Sequence, residues 1–219
     1  MIVMFSDRVE AGRKLASELV DFLRNRSVIV LAIPRGGVVV GYEVAHKLKV
    51  PLDIIIPRKI GAPSNPELAI GAVTEDGTAI LDEKLVGYLN VSRRYIEEES
   101  KRQLKEIERR LKAYRGDVPY PNLTNRIVII VDDGVATGST IRAALSSLRK
   151  RKAKQVVIAV PVGPAETIKE LEEKADRVVC LFIPEEFYAI GQFYENFDQT
   201  SDEEVIRLLK LSKEEVGPS

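Results

Sequence analysis

Several residue types that commonly build functional sites are scarce in this chain of 219 residues, which has one cysteine, one histidine and no tryptophan. The single cysteine, Cys180, excludes an internal disulfide framework and fits a reducing compartment. A zinc site needs a cluster of histidine and cysteine ligands, which one residue of each type cannot supply. We therefore predict no metal site built from protein ligands alone.

The chain also lacks a long apolar run and an excess of charge of either sign. No apolar stretch approaches the roughly 20 residues that span a bilayer, and the N-terminal residues "MIVMFSDRVEAGRK" reach charge too early for a signal-peptide core. Basic and acidic residues number 33 each, so the overall field does not favour nucleic acid or an anionic membrane. We expect a cytoplasmic protein that binds neither.

Five apolar runs separated by helical patterns predict an α/β fold. Continuous apolar strands are typical of a sheet that is covered on both faces. Strands that alternate with helices indicate a doubly wound, mostly parallel sheet. The segment 60–77 holds three glycines and two prolines, which predicts a long loop that could contain short strands. The predicted strands are 27–33, 51–59, 127–131, 155–160 and 177–183.

The segment 92–116 departs from this alternation and predicts one long, charged helix. Its Leu104, Ile107, Leu111 and Tyr114 form a narrow apolar seam, and its other faces carry Glu98–Arg102, Glu106–Arg110 and similar pairs at i,i+4 spacing. This pattern favours a solvated helix that lies on the core. An oligomer contact and a lid over a site are the alternatives.

The motif "VIIVDDGVATGST" (128–140) places Asp132 and Asp133 at the end of a predicted strand, where open α/β sheets bind ligands. The following turn leads into a helix, and free backbone amides at a helix start can bind a phosphate. Carboxylates instead accept hydrogen bonds from sugar hydroxyls or bind a divalent cation. No basic residue is near the pair in sequence, so we expect its partner to be a ligand such as ribose 5-phosphate. The alternative is an ordinary turn with one exposed acid.

Two cationic motifs follow other predicted strands. In "AIPRGGVVVG" (32–41), Arg35 lies between a proline and two glycines, which gives one fixed cation beside exposed amides. Alone, this motif fits a sharp strand-to-helix turn equally well. Arg58 and Lys59 precede the Gly/Pro-rich segment, and this arrangement suits a polyanion that a loop covers during reaction. Alone, they are more often solvated surface.

Taken together, these motifs resemble those of the type I phosphoribosyltransferases over roughly 27–80 and 126–183. "VIIVDDGVATGST" is similar to the hallmark of that family, "PRGG" to its pyrophosphate loop, and "RK" to the start of its catalytic loop. "PRKIGAPSNPELAIGAV" and "QFYENFDQTSDEEV" further resemble a subgroup whose substrates are unassigned. The resemblance implies one domain over 1–219 with a five-stranded, mostly parallel sheet, an inserted helical segment at about 84–116 and a small C-terminal hood or tail at about 184–219.

The resemblance also implies a role for each cluster. The substrate would be 5-phosphoribosyl 1-pyrophosphate with Mg²⁺, which substrate oxygens would mainly hold. Asp132 and Asp133 would hold the ribose hydroxyls, and Arg58 and Lys59 would neutralise the leaving group. The pyrophosphate would bind at Arg35, Gly36 and Gly37, with a cis peptide before Gly36. The 5-phosphate would bind at Gly134, Val135, Ala136, Thr137, Gly138, Ser139 and Thr140.

The acceptor is less well determined by the sequence. The family's 6-oxopurine enzymes usually carry an acid where this chain has Ala136, which disfavours hypoxanthine and guanine. Glu67 is a candidate general acid or base, with an exposed helix-start carboxylate as the alternative. Tyr188 and Phe193 are candidates to stack on a base, although such aromatics are at least as often packing residues. The overall function is either phosphoribosyl transfer to a nucleobase or related nucleophile, or non-catalytic sensing of the same ligand. The sequence does not decide whether the chain forms a homodimer.

Overall fold

The computed structural model describes residues 4–23 and 27–216, and this part of the chain contains eight strands and seven α-helices. The strands are β1 (Val28–Ala32), β2 (Leu52–Ile54), β3 (Arg58–Ala62), β4 (Asn65–Val73), β5 (Ala79–Leu81), β6 (Ile127–Val131), β7 (Gln155–Val162) and β8 (Arg177–Phe182). The helices are α1 (Arg8–Leu23), α2 (Gly36–Leu48), α3 (Glu83–Tyr88), α4 (Arg93–Arg115), α5 (Ser139–Lys150), α6 (Ala165–Glu172) and α7 (Asp202–Val216), with a 3₁₀ turn at Ile190–Phe193.

The main sheet has five parallel strands in the order β2-β1-β6-β7-β8. Every residue of β1 and β6 is buried, because both strands lie in the interior of the sheet and both faces are covered. Val30 and Ile129 face a core shared with α1, α2 and α7, whereas Leu31 and Ile130 face a core shared with α5 and α6. The predicted doubly wound, five-stranded parallel sheet is therefore confirmed.

The segment from Arg58 to Leu81 forms a second, antiparallel sheet in the order β3-β4-β5, where the sequence predicted a long loop that could contain short strands. The predicted strand 51–59 was also wrong: β2 ends at Ile54, and Arg58 begins β3. Pro57 has no backbone donor and interrupts the strand. The glycine and proline signals misled because β4 packs against α5 and buries Ile70 completely.

Helix α4 confirms the predicted long helix. Ser92 caps it by accepting a hydrogen bond from the Tyr95 amide at 3.2 Å, and Gly116 ends it at φ 66°. Ile107 and Tyr114 of the predicted seam are buried, and the helix packs against β3 and α7. Of the predicted pairs, Glu106–Arg110 forms, whereas Arg102 pairs with Glu99 instead of Glu98.

The C-terminal residues form two structures that the sequence did not specify. Helix α7 packs against α2 and buries Val205, Leu208 and Leu209. Before it, the 193–196 segment pairs with the chain around Phe5, whose carbonyl accepts from the Glu195 amide at 2.9 Å. These contacts bring the chain's first described residues beside the end of β6. None of the described helices combines the length and the apolar character needed to cross a membrane.

Candidate active site

The carboxyl ends of β1 and β6 bring two of the predicted clusters into contact. These strands are adjacent and parallel, and Ala32 pairs with Val131, so both end at the same edge of the sheet. Gly37, at the start of α2, lies so close to Asp132 that a Cβ added to the glycine would be 2.9 Å from Asp132 Oδ1. A larger side chain at Gly37 would therefore displace the carboxylate.

Asp132 lies directly after β6, and its carboxylate is partly enclosed by this edge. Its Oδ1 accepts a hydrogen bond from the Asp133 amide at 2.9 Å, which orients the side chain. Burial and the neighbouring Asp133 carboxylate raise the pKa of Asp132 well above its ordinary value. Hydrogen-bond donors stabilise the charged form of such a carboxyl, and sugar hydroxyls are suitable donors.

Asp133 has a basic partner that the sequence analysis missed. Nε of Arg8, the first residue of α1, donates to Asp133 Oδ2 at 2.7 Å, and the two side chains are 11% and 13% exposed. The Arg8 guanidinium also lies 3.8 Å from the centre of the Phe197 ring and donates to the Asp198 carbonyl at 2.7 Å. The sequence has no basic residue near the pair, and Arg8 reaches Asp133 although it is distant in sequence. Binding of ribose hydroxyls by the pair stays a prediction.

Burial raises the pKa of Asp133, and Arg8 acts in the opposite direction. The Asp133 backbone is held as well, since its carbonyl accepts from the Tyr194 hydroxyl at 2.6 Å. Gly36 lies directly over the Arg8–Asp133 pair, and an added Cβ there would overlap with Asp133 Oδ2. The two acids therefore differ: Asp133 is held by Arg8 and Tyr194, whereas Asp132 accepts from the Asp133 backbone amide.

The turn from Gly134 to Thr140 leads from β6 into α5. The Val135 amide donates to the Val162 carbonyl at 2.9 Å. Within the described residues, the amides of Gly134, Ala136, Thr137, Gly138 and Ser139 have no such acceptor. The turn is held through its carbonyls instead: Thr167 donates to the Ala136 carbonyl at 2.7 Å and Arg142 to the Thr137 carbonyl at 2.8 Å. Free amides beside the positive end of α5 suit a phosphate.

Gly138 permits this turn. It precedes α5 with φ 71°, a conformation that disfavours any side chain. An added Cβ would also lie 2.9 Å from Thr167 Cγ2. The hydroxyls of Thr137 and Ser139 are 3.1 Å apart and lie beside the free amides.

Arg35 lies in the turn between β1 and α2, and its side chain is directed to Asp202. Its Nη1 is 3.4 Å from Asp202 Oδ1 at the start of α7, and its side chain is 30% exposed. A cis peptide joins Pro34 and Arg35. We expected the cis bond one residue later, before Gly36, and that expectation was wrong.

Arg58 and Lys59 lie in an open cleft of about 410 Å³ between β3, α4 and the start of α5. The cleft also contains Glu67 and Thr140, so it brings together residues from two predicted clusters and the candidate acid or base. Glu67 lies on β4, which corrects the alternative that it begins a helix. Helix α4 contributes Arg102 and three residues that the sequence analysis did not name: Tyr95, Glu99 and Gln103.

Comparisons with known proteins identify the family of this chain. Residues 5–198 match the family model described as the phosphoribosyl transferase domain. The chain belongs to this family. Two relatives come from the CDC 1551 / Oshkosh and H37Rv strains of Mycobacterium tuberculosis. Each is provisionally named a phosphoribosyl transferase and is 45% identical to this chain over 206 residues. The match covers 94% of this chain and 46% of each relative, so the chain spans about half the length of the curated relatives it matches.

Two solved structures resemble this phosphoribosyl transferase domain to different degrees. The structure of the protein TT1426 from Thermus thermophilus has a TM-score of 0.80 at 40% identity and covers 94% of this chain and 98% of that one. A hypoxanthine phosphoribosyltransferase from Staphylococcus aureus has a TM-score of 0.50 at 14% identity, with 85% and 79% of the two chains covered. The second likeness shows the shared fold alone.

The remaining candidates of this phosphoribosyl transferase domain lie in different environments. Phe193 is 3% exposed and packs against Phe182 and Phe187, which favours the packing alternative over stacking on a base. Tyr188 is 82% exposed, so its role as a stacking residue stays a prediction. His46 is on the surface, where its Nδ1 lies 2.8 Å from Glu215 Oε2.

Proposed function

We propose that this chain transfers the phosphoribosyl group of 5-phosphoribosyl 1-pyrophosphate to a nucleobase or a related small nucleophile and releases pyrophosphate. One observation carries the proposal. At a single edge of the sheet, the acid pair Asp132–Asp133 lies between the amide-rich turn 134–140 and the Arg35 turn. A diol site between two anion sites matches the order of groups in that substrate.

In the proposed reaction, the bond from ribose C1 to the pyrophosphate oxygen breaks, and its electron pair leaves with pyrophosphate. A bond forms between C1 and a nitrogen of the acceptor, which releases its proton. Positive charge therefore develops on the ribose and negative charge on the leaving group. Fixed charges of the opposite sign lower the energy of that transition state.

In this proposal, each group of residues binds a different part of the substrate. Asp132 and Asp133 bind the ribose hydroxyls and stabilise the positive sugar. The turn 134–140 binds the 5-phosphate and fixes C1 relative to the acids, which reduces the entropic cost of reaching the reactive geometry. Arg35, with the Gly36 and Gly37 amides, binds the pyrophosphate.

Arg58 and Lys59 project into the cleft and neutralise the charge that the departing pyrophosphate acquires. Glu67 lies in the same cleft, where it is available to exchange a proton with the acceptor. Its position supports the candidate role without assigning the acceptor.

Mg²⁺ fits this site as a cation that arrives with the substrate. The described residues contain no group of three or more His, Cys, Asp or Glu side chains that could hold a metal ion. Mg²⁺ usually retains several waters and binds through substrate phosphates together with few carboxylates. When bound, it would supply positive charge to the pyrophosphate oxygens beside Arg35.

The test is pyrophosphate release from 5-phosphoribosyl 1-pyrophosphate and Mg²⁺, measured against a panel of purine and pyrimidine bases. The Asp132→Asn/Asp133→Asn double variant is the blank, because it keeps the size of both side chains and removes their charge. We expect release with one acceptor and none in the blank. Calorimetric binding of the substrate without turnover on any base would contradict the transferase and support a non-catalytic sensor.

A further inference from the structure

Helix α4 reaches both arginines of the proposed pyrophosphate site from one of its faces, Arg58 directly and Arg35 through Asp202. Near its middle, Gln103 Oε1 accepts a hydrogen bond from Arg58 Nε at 2.9 Å. Eleven residues later, the Tyr114 hydroxyl donates to Asp202 Oδ1 at 2.7 Å, and the same oxygen lies 3.4 Å from Arg35 Nη1. Eleven residues are close to three helical turns, so the two contacts share a face and are about 16 Å apart.

The Gln103 contact belongs to a connected group of polar side chains, in which Gln103 and Glu99 are buried and Arg102 is 71% exposed. Gln103 and Glu99 are each 8% exposed. Gln103 Nε2 donates to Glu99 Oε1 at 2.7 Å, and Arg102 holds both oxygens of Glu99 at 2.7 and 2.8 Å. With its amide nitrogen directed to Glu99, Gln103 presents its oxygen to Arg58.

The Tyr114 contact is similarly constrained. Tyr114 is 5% exposed, and its ring belongs to the main apolar core, so the hydroxyl has one fixed position. Asp202 therefore sits between a fixed hydroxyl and Arg35. A helix that merely covered the core would need only its apolar seam, because buried polar groups lower stability unless they are hydrogen-bonded.

We propose that α4 is a positioning element of the pyrophosphate site, in which Gln103 holds the Arg58 guanidinium and Tyr114, through Asp202, holds that of Arg35. This inference rests on the proposed function and assigns the inserted helix a role in it. Cations held in place before binding lose less side-chain freedom when the anion arrives, which strengthens its binding.

The test uses two variants that keep the side-chain volume: Gln103→Met, which removes the hydrogen bonds to Arg58 and to Glu99, and Tyr114→Phe, which removes the one to Asp202. Their matched controls are Lys105→Met, at an exposed position of the same helix, and Tyr88→Phe, which removes a hydroxyl from a tyrosine that is 84% exposed. The dissociation constants for pyrophosphate and for ribose 5-phosphate are measured calorimetrically with Mg²⁺. Ribose 5-phosphate binding also reports whether each variant is folded.

We expect Gln103→Met to weaken pyrophosphate binding about tenfold, which corresponds to the loss of one hydrogen bond to a charged group. Tyr114→Phe acts through Asp202 and should weaken it about threefold. The contacts are far enough apart for their effects to multiply, to about thirtyfold in the double variant. Ribose 5-phosphate binding and both controls should stay within about twofold of the unchanged chain, a difference too small to represent a lost hydrogen bond.

Unchanged pyrophosphate affinity in the double variant would overturn the proposal. Tighter pyrophosphate binding would overturn it as well, since the contacts would then hold the arginines away from the ligand. Equal losses for both ligands would indicate a general structural effect and have the same consequence. If the unchanged chain binds neither ligand, the proposed function fails first, so that the two failures are distinguishable.

Discussion

Arg8→Gln should destabilise the protein far more than an ordinary surface substitution, although Arg8 lies at the very start of α1. The arginine and Asp133 form a pair 2.7 Å apart, with side chains that are 11% and 13% exposed. Removing one partner of a buried pair leaves an uncompensated charge and costs about 3–5 kcal/mol. Glutamine keeps one amide donor, so we expect a loss of about 3 kcal/mol, at the lower end of that range.

The loss should depend on pH in a defined direction. Burial raises the pKa of Asp133 above its ordinary value of 3.8, and Arg8 opposes that rise. The folded protein therefore binds the Asp133 proton more tightly than the unfolded chain does, and stability falls as pH rises through the window between the two pKa values. Without Arg8, the pKa of Asp133 rises further and the window extends upward. The pKa of Asp132 changes in the same direction, because Arg8 lowers it too.

The assay is urea unfolding of the unchanged chain and the variant at about pH 5 and about pH 8.5. The deficit should be larger at the higher pH. Arg13→Gln is the matched control on the same helix: Arg13 is 70% exposed and pairs with Glu43 at 3.0 Å, so its loss should stay below about 1 kcal/mol. Equal losses for Arg8 and Arg13, or a deficit that shrinks as pH rises, would refute the reasoning.

Three further predictions concern the ligand site. Arg35→Ala should weaken pyrophosphate binding about tenfold, as expected for a lost charge-assisted hydrogen bond, with less effect on ribose 5-phosphate; equal losses in calorimetry would argue against the pyrophosphate assignment. Gly138→Ala should lower the unfolding free energy by about 1–2 kcal/mol, because Gly138 has φ 71°, and should weaken ribose 5-phosphate binding; an unchanged urea midpoint would contradict this. Asp132→Asn with Asp133→Asn should abolish ribose 5-phosphate binding while the circular dichroism spectrum is retained, and unchanged affinity would exclude the ribose assignment.

The sequence by itself determined the main sheet and the location of the proposed site. Runs such as "IVIIV" form strands through local preferences of β-branched residues, and their continuous apolar character indicates burial on both faces. Parallel strands end at one edge, so residues that follow two predicted strands can be expected to meet. Asp132 and Gly37 do meet there. The roles of these residues in binding stay predictions.

The second sheet was decided by tertiary structure. Prolines and glycines in the segment 60–77 correctly mark breaks such as the irregular pairing near Gly61. They do not show whether the residues between those breaks pair with another strand or pack against a helix. Ile70 is buried because β4 packs against α5, and α5 begins about 70 residues further along the chain.

Two contacts at the proposed site were likewise beyond the sequence. Arg8 and Asp133 are 125 residues apart, and no periodic pattern connects them. Glu99 and Gln103 belong to α4, which carries charged residues at i,i+4 spacing. That spacing is the same on a solvated face as on a buried one, so it does not show which polar side chains are covered. Hydrophobic periodicity reports which residues are covered within one element, whereas the partner of a polar side chain depends on which other element folds against it.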